Sequence, residues 1–451
     1  MRWWKLAAVF SLVALVATGI WGYSQYKTSR SLELYLSNKY QRAFYDLANQ
    51  SQSLEVLLSK SMVASDPRLD SALLMDIRQQ AAFAQSNLGQ LPLNDVLAGR
   101  TAKFLSQVGD YADSLARQVS QGEAIDSKQW DSLKNLYEQS VALNHDLQEM
   151  QANIAENNFY FGEMVQQVRA RLQKPPDTMA QTEFQALDKQ MQLSPALIYD
   201  GPFSEHLERT EPAYLSGLSN IDAAEAEQRA LAFMDKQDGI SYQARVTGAA
   251  NGRIPAHRVE VIQEGGSAVT VLDVSKQGGK VIWMLNSRPV GGQAVGIEEA
   301  RQKAKNFLAD RGFGEMRSAY YQLHGNAATF NFAAVQEGVT LYPDLIKVTV
   351  ALDNAEVTGA ETSGYLMSHR QRNLPKVGQS REQALAVVNP RLTVTGGNLV
   401  LIPVGATDER LAYEFLGKLG DDSYLVYINA VNGREENILK LIETPGGMLT
   451  M

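Results

Sequence analysis

The C-terminal half of this chain repeats one small plan three times, and that constrains its fold more than any single motif does. Each copy opens on a short amphipathic helix: Ala226, Ala230 and Phe233 share a face in the first, Ala300, Ala304 and Phe307 in the second, Ala384 and Val388 in the third. Strand-like runs follow, and each copy reaches an apolar run ending on an acidic or amide residue: Val269 to Asp273, Val348 to Asp353, Leu425 to Asn429. The copies start at residues 226, 300 and 384, so they are 74 and 84 residues apart. Self-similarity on a fixed plan marks repeated supersecondary units that bury their faces by stacking. No Ser, His or carboxylate set recurs in a form that carries catalysis. The repeats therefore point to binding.

At 451 residues there is room for about three domains. A hydrophobic content of 45% with 20% charged residues is that of a folded protein. The absence of cysteine removes disulfides, thiolate metal sites and cysteine nucleophiles together. The five histidines, His145, His206, His257, His324 and His369, lack the close spacing of a zinc site, so neither a metal nor another cofactor is expected. The net charge is −8, although the first 30 residues carry Arg2, Lys5, Lys27 and Arg30 and no acid. An acidic body argues against nucleic acid as a partner, because phosphates call for clustered Lys and Arg.

Leu6 to Gly22 is apolar apart from Ser11 and Thr18, with Trp3, Trp4, Trp21 and Tyr23 at its ends. About 20 helical residues cross a ~30 Å hydrocarbon core, so the run is read as a transmembrane anchor. A cleavable signal peptide is the rival reading. Ile20, Trp21 and Tyr23 stand where a peptidase needs small residues, which favours the uncleaved anchor.

Residues 31–195 hold five Gly and five Pro, whereas 196–451 hold 27 and nine, so a helical half precedes a strand-rich half. Breakers divide the first half at Ser65 to Pro67, Leu91 to Asn94, Gly122 to Asp126 and Lys174 to Asp177. Asp66 followed by Pro67 predicts a helix start, and Thr178 with Gln181 has capping-box spacing. Leu143, Leu147, Met150, Ile154, Phe161, Val165, Val168 and Leu172 form a 3.5-residue seam for a partner helix, interrupted at Asn157. In the second half, alternating runs such as His257 to Ile262 and Ala327 to Phe332 predict antiparallel strands. Their exposed edges either accept an added strand or are shielded by the neighbouring copy.

The expected architecture is multidomain: an anchor at 1–28, an all-α helical bundle at 29–195 and a linker at 196–220. Three small α+β repeats follow at 221–290, 295–365 and 378–445, each a helix on its own antiparallel sheet.

Units of this plan resemble PepSY domains. The order of parts resembles the YpeB family of spore germination proteins, most closely at Leu197 to His206, Leu341 to Val348 and Tyr365 to Arg372. The resemblance implies a non-enzymatic protein at the outer face of the inner spore membrane. There it would stabilise, localise or restrain SleB, a cortex-lytic peptidoglycan hydrolase. Tyr199 and Phe203, beside the Gly201-Pro202 turn, and Tyr342 with Asp344 are the candidate partner contacts; each also reads as an ordinary linker or turn residue. Two other functions stay open. One is a peptidoglycan hydrolase in its own right; acid pairs such as Glu208 with Glu211 or Glu435 with Glu436 read, however, as solvated charge. The other is an extracytoplasmic sensor or protease-inhibitor module. Whether copies of the chain form a homo-oligomer is not readable from the residues.

Overall fold

The structure is a computed structural model, and it describes residues 3–91, 95–156, 212–237, 239–265, 269–404, 408–444 and 447–451. The chain divides into two compact units: residues 1–62 with 70–195, and residues 63–69 with 196–451.

In the helical unit, α1 runs from Trp3 to Ser61, α2 from Pro67 to Leu88, α3 from Asp95 to Ser120 and α4 from Ser127 to Glu156. Three of the four expected breaks separate these helices, the fourth, Lys174 to Asp177, lying outside the described residues, and Pro67 is the first residue of α2. Its missing N–H costs nothing there, because the first-turn donors of a helix have no partner within it. The partner helix for α4 lies in the same chain: Asn144 Nδ2 donates to Glu55 Oε2 on α1 at 2.7 Å, and the Trp130 indole donates to the Met62 carbonyl at 3.0 Å. The seam beyond Glu156, Asn157 and the Thr178 capping box lie outside the described residues.

The expected transmembrane anchor needs correction. Among the described residues, no helix is long and apolar enough to cross a membrane. From Ser24 to Arg30, α1 carries Ser24, Gln25, Lys27, Thr28, Ser29 and Arg30 with no helix break, so polar groups fall on every side within two turns. The side chains of the apolar run up to residue 17 lie outside the described residues.

The helix faces are built as their register predicts, and further strands follow each closing run, one in the first and second copies and two in the third. In the first copy, α5 (Ala223–Phe233) precedes β1 (Tyr242–Asn251), β2 (Pro255–Gln263), β3 (Val269–Ser275) and β4 (Val281–Asn286). In the second, α6 (Ile297–Asp310) precedes β5 (Met316–His324), β6 (Ala327–Gln336), β7 (Val339–Ala351) and β8 (Val357–Glu361). A short helix, α7 (Ser363–Ser368), leads to the third copy: α8 (Arg381–Leu385), β9 (Thr393–Val404), β10 (Asp408–Leu419), β11 (Asp422–Asn429), β12 (Glu435–Thr444) and β13 (Gly447–Thr450). The Ala faces are buried as expected: Ala226, Ala230, Ala300, Ala304 and Ala384 have no exposed surface. A methyl-only stripe lets each helix backbone lie close on its sheet.

The three units are not separate small sheets, however, and that expectation is also corrected. Among the described residues, all 13 strands form one sheet in the order β1-β2-β3-β4-β8-β7-β6-β5-β13-β12-β11-β10-β9, with a further parallel contact between β7 and β9. The fourth strand of the first copy pairs with that of the second, Met284 opposite Ala360. The second copy meets the third twice, through Gln322 opposite Gly447 and through Leu341 opposite Leu401. The physical reason is that a four-stranded antiparallel sheet leaves unpaired N–H and C=O groups at its edges, and the copies satisfy them on each other. At the outer edge, the bulge between Val246 and Gly248 in β1 is protected instead by Glu227 Oε1, which accepts from the Val246 N–H at 2.8 Å.

The acidic or amide residues that close the apolar runs are engaged differently, and Asp273 pairs across the sheet with Arg258 of β2. Asp353 accepts from both Arg288 Nη atoms and from the Gly291 N–H; Asn429 Oδ1 accepts from the Val431 and Asn432 N–H groups. The segment entering each helix docks on the same place in its copy: Ala294 and Val295 both donate to the Leu352 carbonyl, Gly378 and Gln379 both to that of Ala430.

Candidate functional site

Asp344, Tyr342 and the 365–372 block meet at the seam between the second and third copies. Tyr342, Pro343 and Asp344 lie mid-strand in β7, where the register against β6 jumps from Ala333 opposite Leu345 to Ala334 opposite Leu341. Pro343 has no N–H to give to a ladder, and the bulge is what permits a proline there. The same bulge carries Asp344 into the interior, where it has no exposed surface.

Asp344 does not stand alone. Arg372 Nη1 and Nη2 donate to its two oxygens, each at 2.8 Å, and His369 Nδ1 lies 2.7 Å from Oδ2. Arg372 also reaches Glu409 of β10, with Nη2 to Oε1 at 2.8 Å and Nε to Oε2 at 2.9 Å. Its Nη2 donates as well to the Ser368 carbonyl at 3.1 Å. Burial works against the Arg372 charge, but the hydrogen bonds and charges of Glu409 and Asp344 outweigh it and hold the guanidinium more firmly protonated than usual. One planar fork thus joins β7, the α7 end and β10, a geometry that lysine cannot reproduce.

The His369 ring stacks on Tyr365 at 4.0 Å, and Tyr214 packs edge-on against Tyr365 at 5.2 Å. Phe313 meets the other side of Tyr365 at 5.2 Å. Burial pushes the Tyr365 hydroxyl above its ordinary value, so the ring serves as packing rather than as an acid.

Beside this knot, Tyr342 donates its hydroxyl to Glu414 Oε2 of β10 at 2.6 Å, and its ring stands edge-on to Tyr427 of β11 at 6.5 Å. Burial raises the Glu414 carboxyl, while the hydrogen bonds of Tyr342 and Tyr427 and the charge of Arg317 pull it down. Chemically, the seam is a set of acidic, basic and hydroxylic groups already engaged with one another. It fixes geometry, and the Asp344 oxygens are both committed.

Of the four partner contacts proposed from the sequence, the structure brings together Tyr342 and Asp344. Tyr199 and Phe203 lie outside the described residues, as does the linker up to residue 211; its last part, from Pro212, carries Tyr214 into the knot. Sequence reasoning named no role for Arg372, Glu409 or Glu414. The first lies in a block singled out for its likeness; the other two are single acids in alternating strands and gave no signal.

The blocks 341–348 and 365–372, which carried the family likeness, are thus the two sides of one ion-paired seam. A family model described as YpeB sporulation, PepSY1 and PepSY2 domains matches residues 180–375, and one described as YpeB N-terminal matches residues 28–163. The chain belongs to the YpeB family. It is 28% identical over 437 residues to the sporulation protein YpeB of Halalkalibacterium halodurans, covering 96% of both chains. It is likewise 28% identical over 436 residues to the sporulation protein YpeB of Bacillus subtilis, covering 95% of both. The solved C-terminal domain of Bacillus megaterium YpeB is 29% identical, with a TM-score of 0.45, and spans 50% of this chain and 99% of that one.

Proposed function

We propose that this chain is a non-catalytic sporulation protein that holds the cortex-lytic enzyme SleB in the spore envelope, stabilising or restraining it until cortex peptidoglycan is broken down at germination. Membership of the YpeB family supports the sporulation role. The observation that carries the binding reading is how the seam uses its charges. Arg372, Asp344, Glu409 and His369 are engaged with each other across three elements, and they tie the second copy to the third. A hydrolase instead keeps one carboxyl poised as an acid opposite a second that faces the glycan.

Purified full-length chain titrated with purified SleB tests this directly. Saturable binding, with no muropeptides released from cortex peptidoglycan by the chain alone, is the expected result. Failure to bind would remove the holding role, and muropeptide release would replace it with hydrolysis.

A further inference from the structure

Residues 63–69, the turn after α1 with the first three residues of α2, pack with the sheet unit. Val63 is fully buried in that unit's main core, with Ala64 and Leu69 against the same cluster. The Ala64 carbonyl accepts from Asn389 Nδ2 at 3.2 Å. The Ser65 and Asp66 N–H groups, just ahead of the first residue of α2, both donate to Glu435 Oε2, at 2.7 and 3.1 Å. Glu435 opens β12 and is 4% exposed, so the acid that read as solvated in the sequence is an interior anchor. Its other oxygen, Oε1, is buried and meets no hydrogen-bond partner among the described residues.

An ionised carboxylate with one oxygen buried and unsatisfied is costly; the neutral acid costs much less, because an unpaired hydroxyl is far cheaper to bury than a charge. The charges nearby do not relieve the cost. On the turn, Asp66 adds negative charge, and Arg68 is engaged with Asp66 at 3.2 Å. On β12, Glu436 accepts from Asn429 Nδ2, and Lys440 is paired with Asp422 of β11. Burial, then, with Asp66 adding to it, raises the Glu435 carboxyl to about 7, against the pull of the Ser65 and Asp66 donors.

We propose that residues 63–69 form a releasable strap on the third copy, seated while Glu435 is neutral and loosened when Glu435 ionises. The sign follows from linkage. The seated form binds the Glu435 proton more tightly than a released, solvated form does, so seating is strongest in acid. It weakens as pH rises from the ordinary carboxyl value toward neutrality. Each unit of difference is tenfold in the seating equilibrium, giving a loosening on the order of a hundredfold by pH 8.

Hydrogen exchange of full-length protein, followed by mass spectrometry across pH 5 to 8 and corrected for the intrinsic rate, reads this at the Ser65 and Asp66 amides. Protection should fall by roughly tenfold to a hundredfold over that range in the wild type. Glu435→Gln, neutral at every pH and still an acceptor, should stay protected throughout. Equal protection of the wild type at both ends of the range overturns the proposal. So does a pH dependence that persists in Glu435→Gln, or loss of protection at pH 5 in that variant while its circular dichroism is unchanged.

Discussion

Arg372 and Asp344 face each other through two parallel hydrogen bonds of 2.8 Å, with the Asp344 side chain wholly enclosed. They come from two of the three blocks of sequence singled out for their likeness to the YpeB family, 28 residues apart along the chain. A buried ion pair adds little over a well-packed apolar pair, but leaving one partner alone is severe. Arg372→Met should therefore cost about 3–5 kcal/mol in equilibrium urea unfolding. Asp344→Leu combined with Arg372→Met should cost less than either change alone, which a double-mutant cycle would read as a large favourable coupling.

Glu414 supplies a pH dependence of stated sign. Burial holds its folded carboxyl above the ordinary 4.5. A raised folded value means its contribution is complete below the unfolded value and is lost as pH rises through the folded one. Glu414→Gln keeps an acceptor for the Tyr342 hydroxyl and removes the titration. Urea midpoints measured from pH 4.5 upward should show a smaller decline in this variant than in the wild type, with the variant the more stable at pH 8.

Gly378 has a steric role. A methyl group there would run into the Val431 carbonyl, a backbone atom that cannot swing aside, on the turn where Gly378 and Gln379 dock. Gly378→Ala should destabilise the third copy by about 1–3 kcal/mol, seen as a lowered Tm.

In the helical unit, burial pulls the Lys60 amine down to about 8, partly offset by Asp76. For a base with a depressed folded value, the unfolded chain holds the extra proton between that value and the ordinary 10.5, so stability rises with pH across that window. Lys60→Met should raise stability at pH 7 by ~1–3 kcal/mol and flatten the rise above pH 8, as thermal melts at several pH values would show.

The parts of this fold that follow a period were legible in the residues. The Ala226, Ala300 and Ala384 helix faces and the breaks around Pro67 and Gly122 rest on local chemistry, and local chemistry survives in one sequence. The fusion of the three copies was not legible, because pairing Met284 with Ala360 depends on which edge finds which partner rather than on either strand's pattern. Tyr342 and Asp344 were chosen for their place in a turn-like Tyr-Pro-Asp run. The bulge that buries Asp344 shows only once β6 and β7 are in register. Glu435 looked solvated because it sits beside Glu436, but a strand sends neighbours to opposite faces. Glu436 takes Asn429, while Glu435 takes the turn at Ser65. The apolar run at Leu6 to Gly22 had the length for an anchor, yet no described helix is apolar enough to be one.

Under the proposed function, a cortex-lytic enzyme depends on this protein. The measurement that bears on it most directly is the SleB content of spores lacking the chain, quantified by immunoblot beside spores carrying it. Without the chain the enzyme should be depleted and cortex breakdown impaired, with both restored by the wild-type chain and less well by Arg372→Met. Normal SleB and normal cortex hydrolysis without the chain would contradict it.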